Sequence, residues 1–344
     1  MNSAATTTRA LRFAARQRLP QAQATYHAMN TATRIRAIHT SPPRPTTTKP
    51  QNPPPRENPS YAGKPEQHEN IGRKRFGDFD VAGKVFIVTG GAQGLGLTMA
   101  EALVEAGGKV YALDRAPSPT DPQEWQEAQA RVVPEWGGSL IYRQQDVSDT
   151  KSLDETIASI AAEHQRLDGV VAAAGVQQIT PAMEYKAEDV AKMLDVNYTG
   201  VFMTATAAAR QMFNYKTQGA SICLIASMSG IVANKGLLSP VYNSSKAGVI
   251  QLARNLAMEW SPTRSDGRGG IRVNCISPGH ILTPMVRKNF EEVPGLREKW
   301  EAENMMGRLA ETTEFKGAVL FLLSKASSFM TGNNMVIDGG HTAW

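Results

Sequence analysis

The architecture of this chain follows from the sequence Phe86-Ile87-Val88-Thr89-Gly90-Gly91-Ala92-Gln93-Gly94-Leu95-Gly96. A run rich in β-branched residues leads into a glycine-rich turn, and a helical pattern of apolar residues starts at Leu97. A strand, a glycine turn and a helix in this order present free backbone N–H groups to a phosphate. Since such turns also occur in other α/β proteins, the stretch indicates a nucleotide site without establishing it alone.

The glycines of the pattern Thr-Gly-x3-Gly-x-Gly have separate predicted roles. Gly90 permits a tight turn, Gly94 lets the backbone approach a pyrophosphate, and Gly96 lets the helix lie close to the sheet. We assign to this cofactor-binding loop Thr89, Gly90, Gln93, Gly94, Leu95 and Gly96.

An acidic residue follows the second predicted strand, where a dinucleotide-binding domain carries its ribose ligand. Asp114 ends the run Val110-Tyr111-Ala112-Leu113 and lies 20 residues after Gly94. A carboxylate at this distance accepts hydrogen bonds from the ribose diol and repels a 2′-phosphate, so we expect NAD as the cofactor. Arg115 keeps NADP open, because its cation can turn toward a 2′-phosphate.

From Val81 onward, strand and helix patterns alternate. Strands are predicted at 84–89, 109–113, 139–143, 169–173, 220–226, 271–276 and 334–337, and helices at 95–106, 122–132, 151–166, 187–215, 240–260 and 311–324. This alternation predicts the α/β class, as a single doubly wound Rossmann-type domain with a mostly parallel seven-stranded sheet. In such sheets ligands bind at the carboxyl ends of the strands, so the chemistry is expected just after each strand.

The positive charge is confined to the first part of the chain. Residues 1–75 hold 13 Lys and Arg against 3 Asp and Glu, whereas the remainder is mildly acidic and offers no surface for nucleic acid. Residues 1–41, which are rich in Arg and free of acidic residues, are typical of a mitochondrial transit peptide and predict the mitochondrial matrix. A disordered basic tail is the alternative.

The rest of the chain divides into a linker and one folded domain. Residues 42–79 hold nine prolines among polar residues and predict a disordered linker, and the folded domain spans 80–344. Cys223 and Cys275 lie in apolar runs and are predicted to be buried and reduced. No Cys/His spacing indicates a metal site, and no apolar run is long enough to cross a membrane.

Several polar or small residues follow the middle strands. After strand three, Asp146-Val147 fits either an adenine site or the start of the next helix. After strand four, Ala174 and Gly175 leave room for a cofactor. Asn197 lies inside a helical pattern, where Asn is unfavourable, and it either faces solvent or serves a neighbouring loop.

Ser227, Tyr242 and Lys246 form the predicted reacting group. Ser227 ends strand five, and Tyr242 and Lys246 lie four residues apart on one face of a helix. A cation near a phenol is expected to lower the pKa of the phenol toward neutrality, so that it exchanges a proton with a substrate oxygen during hydride transfer. Singly, a Tyr-x3-Lys pair is more often an ordinary surface feature.

Together these motifs resemble the short-chain dehydrogenase/reductase family over residues 80–344. The resemblance implies Tyr242 as the acid/base, Ser227 as the residue that orients the substrate oxygen, and Lys246 as the ligand of the nicotinamide ribose. Asn197 would hold a water in a proton relay. The implied cofactor contacts also include Asp146, Val147, Ala174, Gly175, Asn197, Tyr242, Lys246, Pro278, Gly279, Ile281 and Thr283.

Substrate contacts are the part of the family pattern that transfers least. Gln177 and His280 are predicted to face a hydroxylated substrate, although ordinary loop polarity is the alternative. In the family, residues 284–307 form a lid over the substrate; we call them the lid segment. Ala172-Ala173-Ala174-Gly175, which departs from the family's Asn-Asn-Ala-Gly, and the tail Asp338 to Trp344 resemble fungal sugar-alcohol dehydrogenases of the D-arabinitol, xylitol and mannitol type.

Three functions are therefore considered. The first is an NAD-linked dehydrogenase that interconverts a polyol and a ketose. The second is a mitochondrial 3-oxoacyl-carrier-protein reductase, for which Arg287, Lys288, Arg297 and Lys299 would offer a basic patch. The third is a cofactor-binding scaffold without chemistry. The family also implies a homotetramer, built through the 187–215 and 240–260 helices with Ala205, Ala207, Ala208, Ala247 and Val249, which fit packing within the chain equally well.

Overall fold

A computed structural model describes residues 76–344 of the protein. The predicted transit peptide and the linker up to residue 75 lie outside the described residues. The last linker residues form a short 3-10 turn, Gly77–Phe79, directly before the folded domain.

The seven predicted strands are all present and form one parallel sheet. They are β1 (Val85–Thr89), β2 (Lys109–Asp114), β3 (Ser139–Gln144), β4 (Gly169–Ala172), β5 (Ser221–Ile225), β6 (Arg272–Pro278) and β7 (Asn334–Ile337). Their order across the sheet is β3-β2-β1-β4-β5-β6-β7. The chain therefore winds outward from β1 and then returns to its other side at β4, which leaves a crevice between β1 and β4 at their carboxyl ends.

Nine α-helices connect and cover the strands of residues 76–344. They are α1 (Gly94–Glu105), α2 (Pro122–Gln129), α3 (Thr150–His164), α4 (Ala187–Leu194), α5 (Val201–Asn214), α6 (Pro240–Trp260), α7 (Pro284–Glu292), α8 (Leu296–Ala302) and α9 (Lys316–Leu323). The predicted helix 187–215 is interrupted by a π-helical segment, Asp195–Gly200. The predicted helix 311–324 starts as a 3-10 turn, Thr312–Phe315, and α7 and α8 were not predicted.

Within residues 76–344, the hydrophobic core consists of three separate clusters. One lies on each face of the sheet, because β1, β4, β5 and β6 are buried along their whole length, as expected for parallel strands covered on both sides. The third, which we call the lid cluster, is formed by Leu237, Leu296, Trp300 and Leu309 with Ile179, Leu282, Val286, Phe290 and Val293. The lid segment thus packs against Ile179, Leu237, Leu282 and Leu309 from other parts of the domain.

Within residues 76–344, none of the α-helices has the length and the apolar character that a membrane span requires. In the same range, no three His, Cys, Asp or Glu side chains cluster in a way that suits a metal ion. Cys223 and Cys275 are free and buried, and burial raises the pKa of the Cys275 thiol to about 12.

Candidate active site

A cleft of about 300 Å³ opens at the carboxyl ends of the strands, next to the crevice between β1 and β4. It brings together most of the residues selected from the sequence, although these are spread over nearly 200 positions. The predicted residues that line it are Gly90, Gln93, Gly94, Leu95, Gly96, Asp114, Asp146, Val147, Ala174, Gly175, Ser227, Tyr242, Lys246, Pro278, Gly279, Ile281 and Thr283. Thr89, Gln177, Asn197 and His280 do not line it.

The glycine-rich loop has the backbone geometry that its sequence predicts. Gly90 and Gly94 have φ values of 66° and 54°, which side chains disfavour. A Cβ on Gly90 would lie 2.8 Å from the Cα of Ala174, and one on Gly96 would collide with the carbonyl oxygen of Gly90. The absence of a side chain at Gly96 therefore makes room for the Gly90 carbonyl of the loop, and not for the sheet as the sequence suggested.

The first turn of α1 is left open to a ligand. Its N-cap residue, Gln93, makes no side-chain hydrogen bond to the helix, so the amides of the first turn have no side-chain cap. A Cβ on Gly94 would lie 3.4 Å from Cδ of Pro284 on the lid segment and would narrow the space between loop and lid. The loop thus fits an anionic group such as a pyrophosphate.

Charged side chains surround the far end of the cleft. The Asp114 carboxylate accepts a hydrogen bond from the backbone N–H of Ala92 at 3.2 Å, which fixes it beside the loop. Arg115 and Asp146 also line this end. Hydrogen bonds from the Ser148 backbone and hydroxyl lower the pKa of Asp146. The helix α3 is capped by Asp149 instead, so Asp146 is free of the capping role that the sequence left open.

Ser227, Tyr242 and Lys246 meet at the centre of the cleft. Ser227 starts the 3-10 turn Met228–Gly230 after β5, and its Oγ accepts a hydrogen bond from the backbone N–H of Ser229 at 3.1 Å. Its hydroxyl also interacts with the Tyr242 side chain and acts to lower the pKa of the phenol. Lys246 lies one turn further along α6, with Nζ 5.7 Å from the centroid of the Tyr242 ring and 2.9 Å from the carbonyl oxygen of Ile225.

The expected lowering of the Tyr242 pKa by Lys246 is wrong for the protein in this state. Burial raises the pKa of Tyr242, because the phenolate loses its hydration, and the hydrogen bond with Ser227 offsets only part of this effect. Burial also lowers the pKa of Lys246 to about 8. The Lys246 ammonium contacts a backbone carbonyl rather than the phenol oxygen, so desolvation outweighs the attraction between the two groups.

Asn197 lies behind the cleft wall rather than on its surface. It is fully buried within the π-helical segment. Its side chain accepts from the backbone N–H of Val176 at 2.8 Å, donates to the carbonyl of Val176 at 2.9 Å, and donates to the hydroxyl of Ser245. Of the two alternatives for a mid-helix Asn, the structure favours service to a neighbouring loop.

The strand end that departs from the family pattern is supported by Thr89. Its hydroxyl accepts a hydrogen bond from the backbone N–H of Ala174 at 3.3 Å, which ties β1 to the end of β4. A Cβ on Gly175 would lie 3.5 Å from both Lys246 Nζ and Asn197 Oδ1. A Cβ would thus be in ordinary contact here, and the missing Asn side chains are partly replaced by a strand-to-strand hydrogen bond.

Gln177 and His280, the two loop residues predicted to face a substrate, do not line the cleft, and each contacts another side chain. Gln177 Oε1 accepts a hydrogen bond from Asn289 on α7 at 2.8 Å. The His280 ring is 6% exposed and stacks on Trp300 with ring centroids 3.6 Å apart. Burial, together with nearby His341, lowers the pKa of His280 to about 3. His280 is therefore a neutral packing residue beneath the lid rather than a substrate contact.

The segment after β6 forms the last wall of the cleft. Gly279 is required there, because a Cβ would lie 2.6 Å from the Cα of Asp338. Thr283 caps α7 through a hydrogen bond from Val286 N–H to its hydroxyl. The sequence reasoning did not single out Gln145, Val196, Ile225 and Ala226, which also line the cleft. Val176, Met285 and Val286 had a positional signal, since Val176 follows Gly175 and the other two begin the lid segment.

Comparison with known proteins agrees with this geometry. A family model described as "Enoyl-(Acyl carrier protein) reductase" matches residues 90–342. A protein named as a short-chain dehydrogenase/reductase of Aspergillus versicolor is 39% identical over 267 residues, which cover 77% of this chain and 89% of that protein. The chain belongs to the short-chain dehydrogenase/reductase family. It is accordingly an oxidoreductase whose relatives use NAD(P).

Other members of the short-chain dehydrogenase/reductase family are similar over almost their whole length. D-arabinitol 2-dehydrogenase [ribulose-forming] of Candida albicans is 37% identical, over 77% of this chain and 95% of that protein. NADH-dependent L-xylulose reductase of Ambrosiozyma monospora is 33% identical, over 77% and 97%. A gluconate 5-dehydrogenase from Burkholderia cenocepacia, solved with NADP and tartrate, has a TM-score of 0.67 and 26% identity, over 78% and 98%.

Proposed function

We propose that the protein interconverts a polyol and a ketose in a reaction of the D-arabinitol dehydrogenase type, with a nicotinamide cofactor. The observation that carries this proposal is that Ser227, Tyr242 and Lys246 line the same cleft as the glycine-rich loop, with Lys246 Nζ 5.7 Å from the centroid of the Tyr242 ring. The similarity to polyol dehydrogenases supports the substrate class.

Ser227 and Tyr242 have separate roles in proton transfer. In the reducing direction, Ser227 orients the carbonyl oxygen and the Tyr242 hydroxyl donates its proton to it. The raised pKa of Tyr242 keeps that proton available at neutral pH. In the oxidising direction, the same oxygen accepts the alcohol proton as a phenolate, which the raised pKa of Tyr242 makes the minor form at neutral pH. The nicotinamide supplies or accepts the hydride when bound.

We propose NAD as the preferred cofactor. Asp114, fixed by the Ala92 amide, supports it, because a carboxylate accepts from a ribose diol and repels a 2′-phosphate. Arg115 in the same cleft supports some use of NADP. The first-turn amides of α1 would hold the pyrophosphate, and Lys246 would hold the nicotinamide ribose.

The 3-oxoacyl-carrier-protein reductase is the less favoured function. An acidic carrier needs free cations near the lid, yet Lys288 lies 3.5 Å from Glu292 and Arg297 lies 2.9 Å from Glu301 on their own helices. These acidic partners reduce the positive potential that would steer a carrier. The scaffold hypothesis is disfavoured by the complete Asn197, Ser227, Tyr242 and Lys246 set.

A turnover screen with one variant tests the proposed function. The full-length protein is assayed for NADH and NADPH formation with arabinitol, xylitol, mannitol and sorbitol, and for their oxidation with ribulose, xylulose, fructose and an acetoacetyl thioester. We expect NADH formation with at least one polyol, and a loss of roughly 10²- to 10⁴-fold in Tyr242→Phe with NADH binding retained. Turnover of the thioester alone, with NADPH, would instead establish the carrier-protein reductase. Activity unchanged in Tyr242→Phe would exclude the mechanism.

We also propose a homotetramer in the mitochondrial matrix. Ala205, Ala207, Ala208 and Val249, which the sequence suggested as interface residues, are buried within the chain. Large apolar side chains elsewhere in residues 76–344 support an assembly instead, since Met258, Phe329 and Trp344 are 74%, 106% and 72% exposed. Light scattering on the full chain measures the assembly, and a monomer would exclude it.

A further inference from the structure

A hydrogen bond joins the lid segment to the loop after β4. Asn289 Nδ2 on α7 donates to Gln177 Oε1, in the loop after β4, at 2.8 Å. Asn289 is 5% exposed, and Gln177 is half-buried. A buried amide pair of this kind is costly to break unless each half finds another partner.

The backbone segments that carry Gln177 and Asn289 are both held in place by other contacts. The backbone of Val176, next to Gln177, is held on both its N–H and its carbonyl by Asn197. The next carbonyl, that of Gln178, accepts from the Tyr185 hydroxyl at 3.0 Å. On the other side, α7 is capped by Thr283 and packs into the lid cluster. The two amides therefore meet because the loop after β4 and the helix α7 are each held in place by other contacts.

Chain neighbours of the pair line the cleft that holds the reacting groups, although the two amides themselves do not line it. Val176 lines the cleft from the β4 side, and Val286, one turn before Asn289 on α7, lines it from the lid side. Ser227 and Tyr242 line the same cleft. The hydrogen bond thus joins the loop after β4 and the helix α7, which each contribute a residue to the wall of the cleft.

The chemistry of the pair suits one kind of group. Asn289 Nδ2 is a donor and Gln177 Oε1 is an acceptor, so a hydroxyl can stand between them, accepting from the first and donating to the second. A methylene or a thioester cannot do this, because neither donates to Gln177 Oε1. We propose that Gln177 and Asn289 select substrates that carry a second hydroxyl beyond the reacting carbon, which replaces their direct hydrogen bond.

This inference rests on the proposed function and narrows its substrate class. With an analogue that lacks the hydroxyl, the two amides keep their direct hydrogen bond, so the preference equals the gain from two hydrogen bonds to the hydroxyl over the one that they replace. The protein would thus prefer a pentitol to a simple secondary alcohol of the same chain length, such as 2-pentanol.

The test compares variants of the full-length protein on both substrates. Gln177→Leu removes the acceptor, and Gln177→Glu keeps an acceptor oxygen. Lys288→Ala, on the exposed side of α7 with its side chain 71% exposed, is the matched lid control. We expect Gln177→Leu to lower kcat/KM for the best polyol by roughly 10- to 100-fold, mainly through KM. The same variant should leave 2-pentanol turnover and NADH affinity unchanged.

Gln177→Glu and Lys288→Ala should retain polyol turnover within a few-fold. An unchanged polyol kcat/KM in Gln177→Leu overturns the inference, and so does an equal loss for polyol and 2-pentanol, which would reduce the pair to a structural clasp. Failure of the proposed function looks different, since the wild-type protein would then turn over no polyol at all.

Discussion

At the scale of single residues, burial decides the properties of the titratable groups around the cleft. The pKa of the Tyr242 hydroxyl is raised and the pKa of the Lys246 ammonium is lowered, so both shifts favour the neutral form of the group. His280, outside the cleft, shows the same effect more strongly. In each case the loss of hydration outweighs the nearby charges, which sequence spacing alone cannot weigh.

His280 should make the stability of the protein sensitive to acid. Its pKa is about 3 in the folded protein and 6.5 when unfolded, so the unfolded state binds more protons in this range and the free energy of unfolding falls as the pH drops below 6.5. His341 and Asp338 are the titratable groups that influence it. In His280→Phe, which keeps a ring against Trp300, this contribution is absent. Urea denaturation at pH 7 and 4.5 should show the wild-type protein losing about 3 kcal/mol relative to the variant. A difference that does not change with pH would contradict this.

The site residues that could be predicted are those with a fixed relation to the backbone. Tyr242 and Lys246 share a helix face because they are four residues apart, and Ser227 is at a strand end. Asn289 could not be found in this way, because its partner Gln177 is 112 positions away and nothing in the local pattern of α7 marks it. His280 was misassigned for the same reason, since its burial depends on Trp300.

At the scale of elements, the turn after β5 and the helix α6 touch through bare backbone. A Cβ on Gly230 would lie 2.7 Å from the carbonyl carbon of Lys246 and from the backbone N of Ala247. Only glycine lets the turn that carries Ser227 lie so close to the helix that carries Tyr242. The distance between these two catalytic candidates therefore depends on a residue that has no side chain.

Gly230→Ala should separate Ser227 from Tyr242. We expect a loss of roughly 10- to 100-fold in kcat/KM, because small displacements of reacting groups are costly. Gly317→Ala is the control, since a Cβ there meets nothing within 4 Å, and alanine in α9 should stabilise the helix by about 0.5–1 kcal/mol without changing turnover. Steady-state kinetics and thermal denaturation of both variants decide the matter. Full activity in Gly230→Ala would mean that the turn and the helix adjust freely.

The strands and helices could be predicted where the apolar periodicity of the sequence was clear. They could not be predicted where contacts between distant residues determine the local conformation. The strands are confirmed within one or two residues, because apolar runs between glycine turns are distinctive. The π-helical segment was missed, since Asp195 to Gly200 has an ordinary helical pattern and its widened turn sets the position of Asn197. The short helices α7 and α8 depend on the lid cluster for their stability.

At the scale of the whole molecule, the order of strands explains why one cleft collects residues from the entire domain. Parallel strands all end at the same edge, and the return of the chain from β3 to β4 leaves that edge open beside β1. Alternating patterns in the sequence therefore predicted the location of the site before any side chain was placed.

The first 75 residues should direct a passenger protein to mitochondria. They carry a net charge of +10, and the first 45 contain seven Arg and no acidic residue. A fusion of residues 1–75 to a fluorescent protein should co-localise with a mitochondrial marker. The same fusion with Arg9, Arg12, Arg16 and Arg18 changed to Gln should lose this localisation. Diffuse fluorescence from the unchanged fusion would refute the targeting hypothesis.

The separate packing of the lid cluster has a consequence for how this protein can be altered. Its apolar members are distinct from those of the two clusters that flank the sheet. Substitutions in the lid cluster therefore lower mainly the free energy of local unfolding of the lid, and the sheet and the helices that carry the catalytic residues remain folded. A designer who wishes to redirect the enzyme to other compounds can therefore diversify the 284–307 region in a library and expect most members to remain folded.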